Sequence, residues 1–165
     1  MKLVRNKLMN DQVKIRRATK DDLDLLVEFG EELYLVEREF ELEMAYSKEE
    51  SKERYRRQLV NPEAVFLVAE VEGKLVGYVY AHNERAEGVR GGRVVCEMEV
   101  VYVEPKYRGR GVAGRLVEEC KKWAGSKGVW RMEAVVFEEN EASKRALGKM
   151  GFEVNSLTYK LDLDQ

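Results

Sequence analysis

Residues Val100 to Gly128 read VVYVEPKYRGRGVAGRLVEECKKWAGSKG. The β-branched run Val100-Val101-Tyr102-Val103 predicts a strand. Pro105 ends its ladder, because proline has no N–H to donate. The loop Arg108-Gly109-Arg110-Gly111-Val112-Ala113-Gly114 follows, and then an amphipathic helix. Val112, Leu116 and Cys120 recur at helical spacing, with Ala113, Val117 and Ala124 beside them. Arg115, Glu118, Glu119, Lys121 and Lys122 fall on the wet side. Gly125 and Gly128 offer places to stop.

The chemistry of that junction is anion binding. Glycines remove the Cβ atoms that would hold a ligand off the backbone. Successive N–H groups then converge at the positive end of a helix dipole. Arg108 and Arg110 can add charge-assisted hydrogen bonds to phosphate. The plainer reading is a tight strand-to-helix turn with two solvated arginines. The combination of strand, proline, glycines and helix favours a diphosphate loop.

Two patterns fit the loop. Gly109, Gly111 and Gly114 satisfy G-x-G-x-x-G, the dinucleotide fingerprint, and Glu133 lies about 20 residues on, where the ribose-binding acid is expected. Arg108, Gly111 and Ala113 satisfy R/Q-x-x-G-x-G/A, the acyl-CoA loop. Context separates them. Glu104 to Arg108 intervene between strand and first glycine, and too little chain follows for further βα units. Val103-x-Pro105-x-Tyr107-Arg108-Gly109-x-Gly111-x-Ala113 resembles the GNAT N-acetyltransferase superfamily. So does Asn140-x-x-Ser143 followed by Lys149-x-Gly151-Phe152, which is similar to the helix of ribosomal-protein and other protein N-acetyltransferases.

The element order read from the chain agrees with that resemblance. Met1 to Gln12 is polar and reads as a loose arm. Val13 to Arg16 alternates as a first strand. Thr19 and Asp22 form a capping box ahead of the stripe Leu23, Leu26, Phe29/Gly30, Leu33 and Val36. Ser47 to Glu50 is a second capping box, opening a helix to about Val60 that Asn61-Pro62 breaks. Ala64 to Ala69 and Leu75 to Ala81 read as a hairpin about Glu72-Gly73-Lys74, and Asn83 to Gly92 as a polar loop. Strands over Val94 to Val103 and Val129 to Phe137 flank the long helix, which implies parallel pairing. Asn140 to Met150 reads as a helix and Phe152 to Leu163 as a last strand. The order β-α-α-β-β-β-α-β-α-β predicts an α/β (α+β mixed sheet) fold, GNAT-like, with two splayed parallel strands flanked by helices, in one domain over residues 1–165.

Composition sets bounds. The 165 residues can bury a core, and 44% are hydrophobic, which excludes disorder for the body of the chain. A net charge of −2 gives no sign of a nucleic-acid or membrane partner. No run reaches transmembrane length, and the N-terminus shows no apolar signal core. Two cysteines, Cys96 and Cys120, are too few for a disulfide framework and fit a reduced, cytoplasmic setting. Cys96 reads as a small buried thiol rather than a nucleophile. Charged residues reach 36%, as in proteins whose ion-pair networks gain value on heating.

The resemblance implies acetyl-CoA as co-substrate, with no metal, and an amine acceptor. The cofactor's diphosphate falls to Arg108, Gly109, Arg110, Gly111, Val112, Ala113 and Gly114. Its pantetheine arm falls to the strand at Val101, Tyr102 and Val103, where Val101 and Val103 pair with it through free backbone groups. The N–H near Val101 would polarise the thioester carbonyl. Asn140 and Ser143 would reach the cofactor from the next helix, although Asn140 also reads as a plain N-cap. An attacking amine must be neutral, and a carboxylate can take its proton. Glu97 and Glu99 match the base positions of histone and polyamine acetyltransferases respectively. Without a bulge they share one face with Val101 and Val103. The family's usual tyrosine acid, four residues before the Gly-Phe pair, is replaced by Leu147. His82 at the hairpin's end reads as a surface or structural histidine. The acidic segment Glu37, Glu39, Glu41 and Glu43 falls where the family walls its acceptor. The function implied is acetyl transfer to a primary amine of a protein, a peptide or a small cation. The competing class is an inactive CoA- or nucleotide-binding regulatory module. The sequence leaves a homodimer open.

Overall fold

The computed structural model describes residues 13–40, 45–86, 91–159 and 161. The residues fall into two bodies, one through Val135 and one from Val136 onward. The first body holds a five-stranded sheet in the order β1-β2-β3-β4-β5. Its elements are β1 (Val13–Arg17), α1 (Leu23–Glu37), α2 (Lys48–Leu59), β2 (Ala64–Val71), β3 (Lys74–Arg85), β4 (Val94–Val103), α3 (Val112–Ser126) and β5 (Arg131–Glu133). The first four strands pair antiparallel, and β4 pairs β5 in parallel. A crossover helix between two strands permits that parallel pairing, and α3 supplies it. The mixed sheet with helices and parallel β4–β5 strands agrees with the fold class read from the sequence.

Local chemistry starts the helices where the sequence predicts. Asp22 accepts from the Thr19 N–H at 2.7 Å, and a short 3₁₀ turn, Lys20–Asp22, leads into α1. Arg16 grips the same carboxylate with two N–H groups at 2.7 and 2.8 Å, which ties the start of α1 to β1. Ser47 Oγ accepts from the Glu50 N–H at 3.3 Å at the head of α2.

Strand alternation sorts the core into two faces. Under α1 and α2, Phe29 and Tyr55 pack with Phe66, Tyr78, Tyr80 and Tyr102. Gly30 lets the Tyr55 ring reach α1; a Cβ there would collide with the Tyr55 hydroxyl, which shares a hydrogen bond of 3.2 Å with Tyr78. On the other face, α3 packs across β1 to β4 with Val112, Leu116, Val117, Cys120 and Ala124 buried. Cys96 of β4 meets Cys120 there, and both thiols are free and fully enclosed, as expected of structural cysteines.

Four boundaries differ from the sequence reading. The strand read as Leu75 to Ala81 runs on to Arg85, taking the polar Asn83, Glu84 and Arg85 out of the predicted loop. Their backbone pairs with Cys96, Val95 and Val94, and the ladder outweighs side-chain propensity. The first hairpin strand, read as Ala64 to Ala69, likewise extends to Val71. The strand expected over Val129 to Phe137 is only Arg131–Glu133, because β4 offers it three partners, Val95 to Glu97. The expected last strand from Phe152 is absent over residues 152–159, which are in no sheet. An extended segment without a ladder partner is not a strand, whatever its composition. Residues 1–12, 41–44, 87–90, 160 and 162–165 lie outside the described residues. They include the predicted arm, Glu41 and Glu43 of the acidic segment, and part of the predicted loop.

The second body contains α4 (Glu141–Lys149). Asn140 Oδ1 accepts from the Ser143 N–H at 3.0 Å, so Asn140 is its N-cap. Gly151, at φ +87°, closes the helix, and the Phe152 N–H returns to the Leu147 carbonyl at 3.1 Å. The Gly-Phe pair therefore has a local backbone reason.

Candidate acetyl-transfer site

The loop after β4 carries the expected backbone. A 3₁₀ turn, Pro105–Tyr107, precedes Gly109 at φ +70° and Gly111 at φ +82°. Both are left-handed conformations that side-chain-bearing residues resist. Gly111 is the N-cap of α3, and its carbonyl receives the Arg115 N–H at 3.1 Å. The N–H groups of Val112, Ala113 and Gly114 therefore lack helical acceptors. A Cβ added at Gly109 or Gly114 would meet open space. These donors and that clearance fit a diphosphate. Arg108 is partly committed elsewhere: its Nε donates to the Val103 carbonyl at 2.8 Å, so it braces the loop against the strand end. The Arg110 guanidinium lies 5.6 Å from the Tyr107 ring centroid.

β4 presents an unpaired edge beside this loop. Its ladder with β5 stops at Glu97, and beyond it β3 is the sole strand partner among the described residues. The Glu104 N–H donates to Val76, which fixes the phase of the β3–β4 ladder. By antiparallel alternation, Val101 and Val103 turn their backbone groups away from β3. Tyr102 does the reverse. Its backbone faces β3, its side chain is buried among the aromatic rings, and its hydroxyl donates to Glu32.

A bulge decides the rest. Tyr80 pairs with Val100 but Ala81 pairs with Met98, so Glu99 is an extra residue in β4. Before it, Cys96 faces α3 and Glu97 faces the α1–α2 side. After it, Val100 and Tyr102 take the α1–α2 side and Val101 and Val103 the α3 side. The no-bulge expectation that the glutamates share a face with Val101 and Val103 is thereby corrected. Both glutamates turn toward α1 and α2.

There a cleft of about 230 Å³ opens, lined by Glu37 of α1, Glu50, Arg54 and Gln58 of α2, Tyr78 of β3, and Glu99 and Val100 of β4. Gln58 Nε2 donates to Glu99 Oε2 at 3.3 Å. His82 Nδ1 lies 2.9 Å from Glu99 Oε1, an ion-pair distance without hydrogen-bond alignment. Burial raises the Glu99 carboxyl above the usual carboxylate range; His82 opposes that shift and Glu97 adds to it. Burial likewise raises Glu37, against the pull of Arg54.

Glu97 stands opposite His82 across the ladder. Ligand atoms of His82, Glu84 and Glu97 lie within 4.8 Å of one another, and among the described residues this is the one group with spacing suited to a metal ion. Sequence reasoning missed Gln58, Arg54 and Tyr78, which carry no motif, and gave His82 a structural role. The cross-strand register that pairs His82 with Glu97 was the signal that could have revealed it.

A model of the Acetyltransferase (GNAT) family matches residues 30–152, and the chain belongs to that family. An uncharacterized N-acetyltransferase of Methanocaldococcus jannaschii is 30% identical over 139 residues, covering 84% of this chain. The chain spans 60% of that relative's length. Glucosamine 6-phosphate N-acetyltransferase of Trypanosoma brucei brucei is 35% identical over 74 residues, 45% of this chain and 48% of that protein. Among solved structures, a tetramutant of the BH1408 protein of Bacillus halodurans superposes with a TM-score of 0.82 at 19% identity, covering 91% of this chain and 99% of the other. Aminoglycoside N-acetyltransferase AAC(6')-Iy in complex with CoA gives 0.77 at 22% identity, covering 92% and 94%. At these identities the structural likeness is one of fold. No helix among the described residues is long and apolar enough to cross a membrane.

Proposed function

We propose that the chain, as one acetyltransferase domain, transfers the acetyl group of acetyl-CoA to a primary amine by direct attack. The observation that carries this reading is the bulge at Glu99. It sets a carboxylate at the head of the cleft on one face of β4, while Val101 turns its backbone to the strand's free edge; at Val103 the carbonyl is taken by Arg108, which leaves the N–H there and corrects the expectation of free backbone groups at both valines. The N–H groups of Gly111 to Gly114 and the Arg110 guanidinium would hold the diphosphate. Val101 and Val103 would pair with the pantetheine arm, and the Val101 N–H would polarise the thioester carbonyl. Asn140 and Ser143 are assigned to the co-substrate by their motif alone. Acetyl-CoA supplies the activated acyl group, and Glu99 takes the proton that keeps an amine from attacking. Glu97, the second candidate, stands one pair further from the cleft.

The acceptor we assign is a cationic amine, a peptide N-terminus or lysine before a polyamine. Glu37, Glu50 and Glu99 outnumber Arg54 in the cleft, and that sign of charge gathers ammonium groups. Two free, enclosed thiols go with a reduced, cytoplasmic setting. Incubating the protein with acetyl-CoA and a panel of amines, while following free thiol, tests the reading. Thiol release that depends on the amine is expected. Tight CoA binding with no amine-dependent release would instead favour the regulatory module, to which Leu147 would then lend weight.

A further inference from the structure

We propose that His82 is a positioning residue for Glu99 and relays the acceptor's proton out of the cleft toward Glu84 and Glu97. The inference rests on Glu99 as the proton acceptor of the reading above. Its own ground is geometric. The bulge swings Glu99 onto the face that His82 occupies, with Nδ1 2.9 Å from Oε1. That nitrogen is enclosed and has no aligned hydrogen bond of its own. The ring stacks on Tyr80, with centroids 6.2 Å apart, which limits its swing. Beyond it, Glu97 and Glu84 bring carboxylate oxygens within 4.8 Å of a ring nitrogen, and Glu84 is exposed. A line of proton-carrying groups therefore runs from the cleft to solvent.

Other groups face this line from neighbouring elements: Tyr80 of β3, whose hydroxyl feels the Glu99 charge, and Glu133 of β5, which pairs with Glu97 in the ladder and lies 3.5 Å from Arg131. Arg54 of α2 acts on Glu99 from the cleft side, and Gln58 holds its second oxygen. β2 sets the inert Ala64 opposite His82. A carboxylate that has taken a proton must lose it again before the next turnover. An imidazole in contact can accept at one nitrogen and release at the other.

The step balances. The acceptor enters as an ammonium with three protons on nitrogen. One passes to Glu99 and on to His82 Nδ1, and the ring releases one at its other nitrogen to water beside Glu84. The freed lone pair forms the N–C bond as the C–S bond breaks, with its electrons leaving on sulfur. A second proton ends on that thiolate, and the third stays on the amide.

Two measurements on the untagged full chain test this. In His82→Gln, kcat should fall about tenfold while KM for acetyl-CoA stays unchanged, because the diphosphate loop is untouched. The acid limb of the kcat profile should move to higher pH, since His82 no longer favours the Glu99 carboxylate. Independently of activity, 13C NMR of the Glu99 carboxyl, assigned by its loss in Glu99→Gln, should show a midpoint moved upward in His82→Gln. CoA calorimetry confirms that each variant is folded. An unmoved midpoint, or a His82→Gln profile superposed on that of the parent chain, overturns the relay. So does loss of rate in His82→Ala with full rate in His82→Gln, because an amide fills space but relays no proton. Full activity in Glu99→Gln overturns the underlying reading of Glu99 instead.

Discussion

The loop from Arg108 to Gly114 and the cleft beneath α1 and α2 are built from different materials. The loop offers main-chain N–H groups, made available by two glycines in left-handed conformations and by the first turn of α3. The cleft offers side chains from four separate elements, Glu37, Arg54, Tyr78 and Glu99 among them. A ligand of fixed chemistry can be met by backbone, which is the same in every chain that adopts the turn. A variable acceptor needs side chains, which can change one at a time without disturbing the sheet. The difference teaches where substitutions will be costly and where they will merely retune.

The largest effect should come from Gly111→Val. A β-branched residue at φ +82° is strained by ~1–2 kcal/mol, and its side chain intrudes where backbone must meet phosphate. CoA affinity measured by calorimetry should fall at least about tenfold; an unchanged affinity would break the assignment of the loop. Gly114→Ala sharpens the point. Its Cβ meets open space in the protein, so the melting temperature should hold, and any loss of CoA affinity belongs to contact with the ligand.

Next comes the proposed base, Glu99. Glu99→Gln should lower kcat about a hundredfold with little change in KM for acetyl-CoA. Burial lifts the folded carboxyl, so its ionised, proton-accepting form grows in only as pH rises above the usual carboxylate range. The parent chain should therefore lose kcat/KM on the acid side of neutrality, and Glu99→Gln should flatten that limb. A limb that survives in Glu99→Gln would transfer the role to Glu97.

The smallest effect concerns charge in the cleft wall. Glu37→Gln should raise KM for a cationic acceptor about threefold at low salt, with the difference shrinking as salt is added. A neutral or acidic best acceptor, or an effect indifferent to salt, would reduce Glu37 to a solvated face.

Much of the backbone-built region was legible without coordinates. Pro105, Gly109 and Gly111 each act within a few residues of themselves, and so do Ser47, Asn140 and Gly151 at the helix ends. The strand Val94–Val103 was readable to the residue. The cleft was less so. The alternation Cys96-Glu97-Met98-Glu99 correctly places both glutamates on one face, but Val100 to Val103 are uniformly apolar and carry no phase. Nothing local reveals that the pairing slips between them.

The sequence alone determined the elements whose causes are short-range: the glycine turn at Gly109 and Gly111, the caps, the amphipathic α3 and the α/β order that places the chain in its family. Tertiary structure alone decided that Glu99 is the bulged residue, that His82 stands beside it, and that Glu37, Arg54 and Tyr78 share its cleft. It also decided that β5 is three residues long. These outcomes depend on register between strands distant in sequence. A slip of one residue there exchanges the two faces of everything that follows.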